Sequence, residues 1–409
     1  MSHKTNRRSV LKGLGAAGAT GVAVGLAGCA DDGGDADAMV GVLQPATGDL
    51  GDLGSPIQDA GALPGIQLED EDVPYEIDIR REDTETEPEV GIERAQALVD
   101  AGYPSITGAA SSGVTIAVAQ DVLFPEEVVG ISPASTSPAI TDMDGRYLLR
   151  TCPTDALQGV AAAELAYEDR GLETASTFYL NNDYGQGLND AFVENFEGLG
   201  GAVQEQSAFE AEQPSYDSQL EVVLADDPDL LYVVGYPDSG EQIFRDFYEN
   251  FDGDDTVVMV ADGMQSNSLP GDVDNPMSNV IGTAPAAAGP GRDTFDQLYD
   301  AEFGRDPGVF TAQAYDATAV HLLAQFRADE LAGPAVSDQV REVANPGGEV
   351  VTPSTLADGL DLAADGEEIQ YQGASSAIVF DDNGDLDAGV FDVFEFDMDG
   401  FTVTGQFEL

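Results

Sequence analysis

The apolar residues of this chain come in two alternating rhythms. Short runs such as "MVGVLQP" (39–45), "YEIDIR" (75–80), "SITGAA" (105–110) and "VVGISPA" (128–134) are strand-like, whereas "EPEVGIERAQALVDAG" (87–102) and "SGVTIAVAQDVLF" (112–124) have helical period. After "YLLRTCP" (147–153) the alternation restarts. A helix over 154–170 leads to "ASTFYLNN" (175–182), a helix over 186–199, "AVQEQSAFE" (202–210), a helix over 217–225, "LLYVVGY" (230–236), a helix over 239–251 and "TVVMVADG" (256–263). Strands alternating with helices of roughly 10–15 residues predict parallel, doubly wound sheets, and two such runs predict two α/β lobes. "VIGTAPA" (280–286) opens a mainly helical stretch to about residue 365. Residues 376–407 close the chain as a predicted β meander with Asp/Asn-Gly turns.

The first thirty residues obey another rule. The chain holds 77 acidic residues, yet none precedes Asp31. A basic start, "HKTNRRSVLKG", leads into an uncharged run from Leu14 to Gly28 and then Cys29. That run is too short and too rich in glycine to span a bilayer, and reads as the h-region of a signal peptide. Arg7-Arg8 followed by Ser-Val-Leu-Lys resembles a twin-arginine export signal. "LAGC" resembles a lipobox, in which Cys29 becomes the first mature residue and carries the lipid. Residues 1–28 are thus expected to be removed, and 29–38 to form an acidic tether on the outer face of the cell membrane. Cleavage takes away Lys4, Arg7, Arg8 and Lys12 and no acid, so every remaining cation is an arginine. A formal net charge of -62 repels nucleic acid and strains a compact state. Salt relieves that strain, since the Debye length is roughly 3 Å at 1 M, and the composition resembles that of a protein from a strongly saline habitat. Cys152 is left without an intramolecular partner, so no disulfide framework is expected.

Catalytic signatures fail one by one. His3 falls in the signal segment, and His321 lies in the apolar helical stretch "DATAVHLLAQF", where it reads as a core residue. No zinc spacing accompanies it. "GAASSGV" lacks the first glycine of a nucleophile elbow. "DDNGDLD" (381–387) departs from a calcium loop at Leu386 and at Asp392, and reads as a hairpin turn. "YGQGLND" (184–190) has two glycines of a dinucleotide fingerprint, but Asp190 replaces the third. No cofactor, metal or catalytic residue is expected; an extracytoplasmic amidase is the remote enzymatic alternative. What remains are polar stretches at predicted strand ends, where open α/β sheets bind ligands: "AASSG" (109–113), "SPASTSP" (132–138), "NNDYGQG" (181–187), "VGYPDSG" (234–240) and "ADGMQS" (261–266).

With those stretches in view, "ISPASTSPAIT" followed by "YLLRTCPTDALQG" resembles the type I periplasmic binding proteins of the leucine/isoleucine/valine family, and the resemblance runs over nearly all of residues 39–400. It implies two Rossmann-like lobes joined by a three-crossover hinge near 150–153, 282–286 and 386–390, with the ligand in the cleft between them. Lobe 1 would comprise 39–151 and 284–387, and lobe 2 would comprise 152–283 and 388–409. By the same resemblance Ser112, Ala134 and Thr136 bind the ligand α-carboxylate and neighbouring atoms. Tyr184 and Tyr236 close over it from the opposite lobe, and Asp262, where the family has glutamate, pairs with the α-ammonium. Leu53 and Phe310 align with the side-chain pocket. The implied ligand is Leu, Ile, Val or Met, with urea or a short amide as the alternative. The implied partner is an ABC permease or a chemotaxis transducer, and the protein is expected to be a monomer. One departure is "DAGALPGIQLED" (59–70), where Pro64 and Gly65 predict a kink in the family's long first helix.

Overall fold

The computed structural model describes residues 36–251 and 257–409. The export signal, Cys29 and most of the expected tether lie outside the described residues. Strand β1 (Ala38–Gln44) begins one residue inside that tether, because the Asp37 and Ala38 amides both donate to Glu76 O and Ala38 is buried. It joins β2 (Ile77–Asp83), β3 (Ser105–Gly108), β4 (Val129–Ser132) and β5 (Leu148–Arg150) in a parallel sheet of order β2-β1-β3-β4-β5. The register sets Gly41 opposite Arg80 and Val42 opposite Thr107.

Three helices follow from these strands: α1 (Gly51–Asp70), α2 (Pro88–Asp100) and α3 (Ser112–Val118), the last continued by a π turn over Ala119–Leu123. Helix α1 is unbroken through Pro64 and Gly65. Each interior proline removes an i→i−4 hydrogen bond, but Pro64 is buried against the lobe. Gly65 lets the helix lie on β2, since a Cβ there would be 2.6 Å from Ile79 Cγ1. The pair thus sits inside one continuous helix seated closely on β2.

The second sheet is built from β6 (Thr174–Leu180), β7 (Ala202–Phe209), β8 (Leu230–Val234), β9 (Val257–Val260) and β10 (Val280–Pro285), all parallel, plus two later strands. Helix α4 (Asp155–Glu164) leads into β6, and between the strands run α5 (Asp183–Leu199), α6 (Asp217–Val223), α7 (Pro237–Asn250) and α8 (Leu269–Val273). The expected C-terminal meander is shorter than predicted: β11 (Val390–Asp397) and β12 (Gly400–Glu408) form an antiparallel hairpin on β10, giving the order β12-β11-β10-β9-β8-β6-β7. Residues 376–389 carry only one bridge, Phe380 to Leu386, and serve as a connection.

After β10 the chain returns to the first sheet. Helices α9 (Arg292–Phe303), α10 (Thr311–Arg327), α11 (Gly333–Ala344) and α12 (Leu356–Asp365) follow, with a small parallel pair at Glu349–Val351 and Ile369–Tyr371. Helix α10 is buried from Thr311 to Phe326 and packs on α1, β1 and β3. Three of its polar side chains are spent on that sheet. Thr318 bonds Thr107 at 2.8 Å, Gln325 takes Met39 and Ser105, and His321 Nε2 donates to Ile106 O at 3.1 Å.

At the junction of the two halves Arg150, fully buried, forks onto Asp385 (Nε to Oδ1 2.5 Å, Nη2 to Oδ2 2.9 Å). Its remaining donors take Ser135 O, Ser137 O and Thr141 Oγ1. Truncating one member of a buried, fully bonded pair strands the other charge, at a cost of about 3–5 kcal/mol. Asp385→Ala should lower the unfolding free energy by that amount in urea denaturation at high salt. The double variant Arg150→Met/Asp385→Leu should recover part of the loss.

Candidate functional site

Both parallel sheets reverse strand order once, at β1/β3 and at β6/β8. Such switch points open a crevice beyond the carboxyl ends of the strands. Here the two crevices face each other. From the first lobe, the turn after β1 leads into α1 and supplies Leu50, Leu53 and Ile57; β3 ends in Ala110 and Ser112; β4 ends in Ala134. From the second lobe come Tyr184 at the start of α5, Tyr236 ahead of α7, and Asp262 with Gly263 after β9. Phe310 closes the wall at the N-cap of α10, with φ at 62°. A non-glycine residue in the left-handed region costs of order 1–3 kcal/mol and persists only where its surroundings hold it.

The cavity so enclosed measures ≈ 10 Å³, room for about one water. Side chains fill the rest. Tyr184 and Tyr236 stack with centroids 5.4 Å apart and planes 7° from parallel. Tyr184 OH donates to Asp262 Oδ1 at 3.1 Å and accepts from Gly263 N at 3.2 Å. Gly263 has to be glycine here, since a Cβ would lie 2.4 Å from Gly235 O. Across the cleft, Tyr236 OH meets Ser111 Oγ at 3.2 Å, and Asp49 Oδ1 accepts from both Ser239 N (2.9 Å) and Ser239 Oγ (2.8 Å). These bonds hold the two lobes together around the cavity.

The electrostatics are those of acids taken out of water. Burial raises the Asp262 pKa to about 6, opposed by hydrogen bonds from Gln158 Nε2 (2.8 Å) and Tyr184. Behind it, Asp155 is fully buried with neither oxygen partnered among the described residues, and burial followed by the Asp262 charge pushes it well above the usual carboxylate range. Two carboxylates in one dry site favour holding a proton or receiving a cation.

Seven of the residues singled out in the sequence, Leu53, Ser112, Ala134, Tyr184, Tyr236, Asp262 and Phe310, share this wall. Thr136 does not. It is buried beside Asp155, outside hydrogen-bonding geometry, and its hydroxyl has no partner among the described residues. Ser112 Oγ accepts from Ser137 N at 3.3 Å, which ties two of the strand-end loops together. Leu50, Ile57, Ala110 and Gly263 escaped the sequence reading, as did Asp155 and Gln158. The last two sit three residues apart on α4, inside the quoted "TDALQG", and helical spacing puts both on one face.

Other sequence candidates lie elsewhere. Burial lowers the His321 pKa to about 3, so the imidazole is neutral in the core of the first lobe. Burial raises the Cys152 thiol, which is free and inert. The "YGQG" glycines belong to the first turn of α5: Asn182 Oδ1 accepts from Gly185 N at 2.8 Å, and a Cβ at Gly185 would clash with Leu180 O. "DDNGDLD" is a turn in which Asp381 Oδ1 accepts from the Asn383 and Asp385 amides. Among the described residues no group of three or more His, Cys, Asp or Glu is placed to hold a metal, and no helix is long and apolar enough to cross a membrane.

Comparison with known proteins agrees with this geometry. The chain is 27% identical over 303 residues to the chemotactic signal transduction system substrate-binding protein BasB of Halobacterium salinarum, covering 72% of this chain and 71% of that one. It is 24% identical to the Leu/Ile/Val-binding protein BraC3 of Rhizobium johnstonii, over 52% of this chain and 59% of that one. Among solved structures it superposes on a leucine-binding protein of Thermotoga maritima with a TM-score of 0.76 and 24% identity, covering 90% of this chain and 98% of that one. It also superposes on a branched-chain amino acid transporter substrate-binding protein of Streptococcus pneumoniae in complex with isoleucine (TM-score 0.75, 18% identity, 91% and 99% covered). A Rhodopseudomonas palustris solute-binding protein in complex with benzoate shares the fold as well (TM-score 0.70, 17% identity, 90% and 95% covered). The family model for periplasmic binding proteins matches residues 38–356, and the chain therefore belongs to the periplasmic binding protein family, with the two-lobed α/β fold of its Leu/Ile/Val-type members.

Proposed function

We propose that the cleft binds an aliphatic amino acid, leucine, isoleucine, valine or methionine, as a zwitterion, and that lobe closure presents it to a membrane partner. The observation that carries this reading is the opposition across one cavity of Asp262, an acid raised by burial, to Ser112 and Ala134 at strand ends, between aliphatic walls from Leu50, Leu53 and Ile57. A buried ammonium needs an opposed carboxylate. A buried ligand carboxylate needs N–H and O–H donors. A solute with a carboxylate and no ammonium leaves Asp155 and Asp262 unbalanced, which argues against benzoate-like ligands. With a single proton held on Asp262, the same wall suits urea or a short amide. The chain acts by binding and not by turnover, as a monomer tethered through lipid on Cys29 to the outer face of the membrane. The likeness to BasB supports a chemotaxis transducer as the partner, and the likeness to the transporter binding protein of Streptococcus pneumoniae supports an ABC permease.

Calorimetric titration in multimolar salt of the chain lacking residues 1–28, with leucine, isoleucine, valine, methionine, glutamate and urea, tests the reading. Tight binding of the aliphatic amino acids is expected. Asp262→Ala should weaken it by about 2–5 kcal/mol, roughly thirtyfold or more, because the ligand ammonium loses its counter-charge. Binding of urea alone would sink the zwitterion.

The pH dependence follows from Asp262. Its folded-state pKa lies above the usual value, so the empty site holds a proton below about 6 and is ionised above it. Amino-acid affinity should therefore rise with pH through about 6 and level off beyond, whereas affinity for a neutral amide should not rise. Tyr236→Phe keeps the stack on Tyr184 but drops the contact with Ser111. A net hydrogen bond is worth about 0.5–1.5 kcal/mol, so stopped-flow release should be roughly twofold to tenfold faster.

A further inference from the structure

Gln158 is fully buried on α4 and lies behind Asp262, outside the cleft wall. Both N–H groups of its amide nitrogen are spent: Nε2 donates to Asp262 Oδ1 at 2.8 Å and to Thr283 O at 3.0 Å. Thr283 is on β10, and the parallel ladder between β9 and β10 ends one residue earlier, at Gly282 opposite Val260. Asp262 lies two residues past Val260, so the ladder does not reach it. Gln158 ties its side chain to β10 instead, from a helix packed on that strand.

The other atom of the amide shows what the residue is kept for. Gln158 Oε1 is buried with no hydrogen-bond partner among the described residues. Turning the amide over would set that oxygen against a carboxylate and a carbonyl, two acceptors, so the neighbours fix the orientation. A buried acceptor left unbonded destabilises a fold, whereas an unbranched methionine would fill the same space without one. Packing alone does not call for glutamine here.

Asp262 stands among acids and phenols. Asp155 of α4, Tyr184 of α5, Tyr232 of β8, Tyr236 ahead of α7 and the Cys152 thiol are all within its electrostatic reach. Arg150 acts on Asp155 and Cys152 but is committed to Asp385. Among the described residues two other side chains donate to the Asp262 carboxylate, Gln158 and Tyr184, and Gln158 makes the shorter bond. Burial raises this acid, and the Gln158 hydrogen bond is the strongest influence opposing that rise.

We propose that Gln158 is the positioning residue of the binding acid: from behind the cleft it fixes Asp262 Oδ1 to β10 and keeps the carboxylate charged to meet a ligand ammonium. Its effect passes entirely through Asp262. The consequence for binding rests on the ligand reading above; the tie between Gln158 and Asp262 does not.

The test uses two variants of the full chain in multimolar KCl. Gln158→Met keeps the length and removes the donor, and Gln158→Glu keeps the shape and replaces the donor with an acid. In calorimetric titrations with leucine, isoleucine, valine and methionine, the pH at which affinity rises should move from about 6 to about 7–8 in Gln158→Met, because a hydrogen bond to a charged group is worth about one to two pH units. Gln158→Glu should move it at least as far. At pH 7 the affinity of Gln158→Met should be about twofold to tenfold lower, with most of the loss recovered by about pH 8.5. A midpoint that stays near 6, whatever the affinity above it, assigns Gln158 to the scaffold and overturns the proposal, as does failure of both variants to fold.

Urea unfolding without ligand separates the two readings. The folded-state pKa of Asp262 is raised above its unfolded value, so the stability it contributes is present at low pH and lost as pH rises through the folded value. That loss should end near pH 6 in the unmodified chain and continue to about 7–8 in Gln158→Met. Between about pH 6 and 8.5 the unfolding constant of the variant should therefore rise about tenfold to a hundredfold more than that of the unmodified chain. Asp262→Asn in both chains should erase the difference. Parallel pH dependence of the two chains overturns the proposal. The expected divergence, with none of the four amino acids bound, supports the tie and sinks the ligand reading instead.

Discussion

The Arg150–Asp385 pair is the constraint on which the site depends. It joins the end of β5 to a residue 235 positions away, and the same guanidinium holds the carbonyls of Ser135 and Ser137. The loop that carries Ala134 and Thr136 into the cleft region is thereby fixed to the third crossover of the hinge. A buried ion pair adds little to stability over a well-packed apolar pair, so its value is geometric. It sets strand-end loop, hinge and cleft in one register in a chain whose cations are scarce.

That scarcity gives the cleft its character. Burying a carboxylate without a partner is costly, and the fold partners its other deep acids from within. Asp316 accepts from Tyr371 OH, the Ala374 and Ser375 amides and Ser375 Oγ. Asp49 accepts twice from Ser239. Among the described residues Asp155 has only the nearby Thr136 hydroxyl, outside hydrogen-bonding geometry, whereas Asp262 has two donors, Gln158 and Tyr184. The site therefore retains an electrostatic deficit that protons meet at low pH and an ammonium group meets better at neutral pH.

The alternation of strands and helices was legible because period is a local property, and strand ends are where a doubly wound sheet exposes polar loops. Five of the seven residues that share one wall, Ser112, Ala134, Tyr184, Tyr236 and Asp262, lie in those strand-end loops, but it was the resemblance to the leucine/isoleucine/valine family, not the period, that picked out all seven. Thr136 lies outside that wall, buried beside Asp155, while the adjacent Ser135 hydroxyl is spent on Thr115 and the carbonyls of Ala109 and Ala110, and nothing in "SPAST" tells that neither hydroxyl lines the cavity. Arg150 with Asp385, and Asp155 behind Asp262, were not legible, because an ion pair or a shared burial between residues far apart in sequence leaves no periodic trace. Pro64 sits inside a helix that stays continuous despite the missing hydrogen bond, because α1 is held by β1, β2 and α10.

Closure works against charge. Asp49 of the latch and its neighbour Asp52 on the first lobe face Asp238, Glu212 and Glu241 on the second, and Asp238 is raised to about 6, by burial first and then by those neighbours. With every one of these groups ionised, the mouth repels itself while Ser239 and Tyr236 pull it shut. Exposed charges separated by more than a Debye length are largely screened, and that length shrinks to roughly 3 Å at 1 M salt. Concentrated salt thus weakens the repulsion at the mouth while leaving the buried bonds of the latch nearly untouched. On the proposed reading, the balance between open and closed lobes depends on the ionic strength outside the protein as well as on the solute between them.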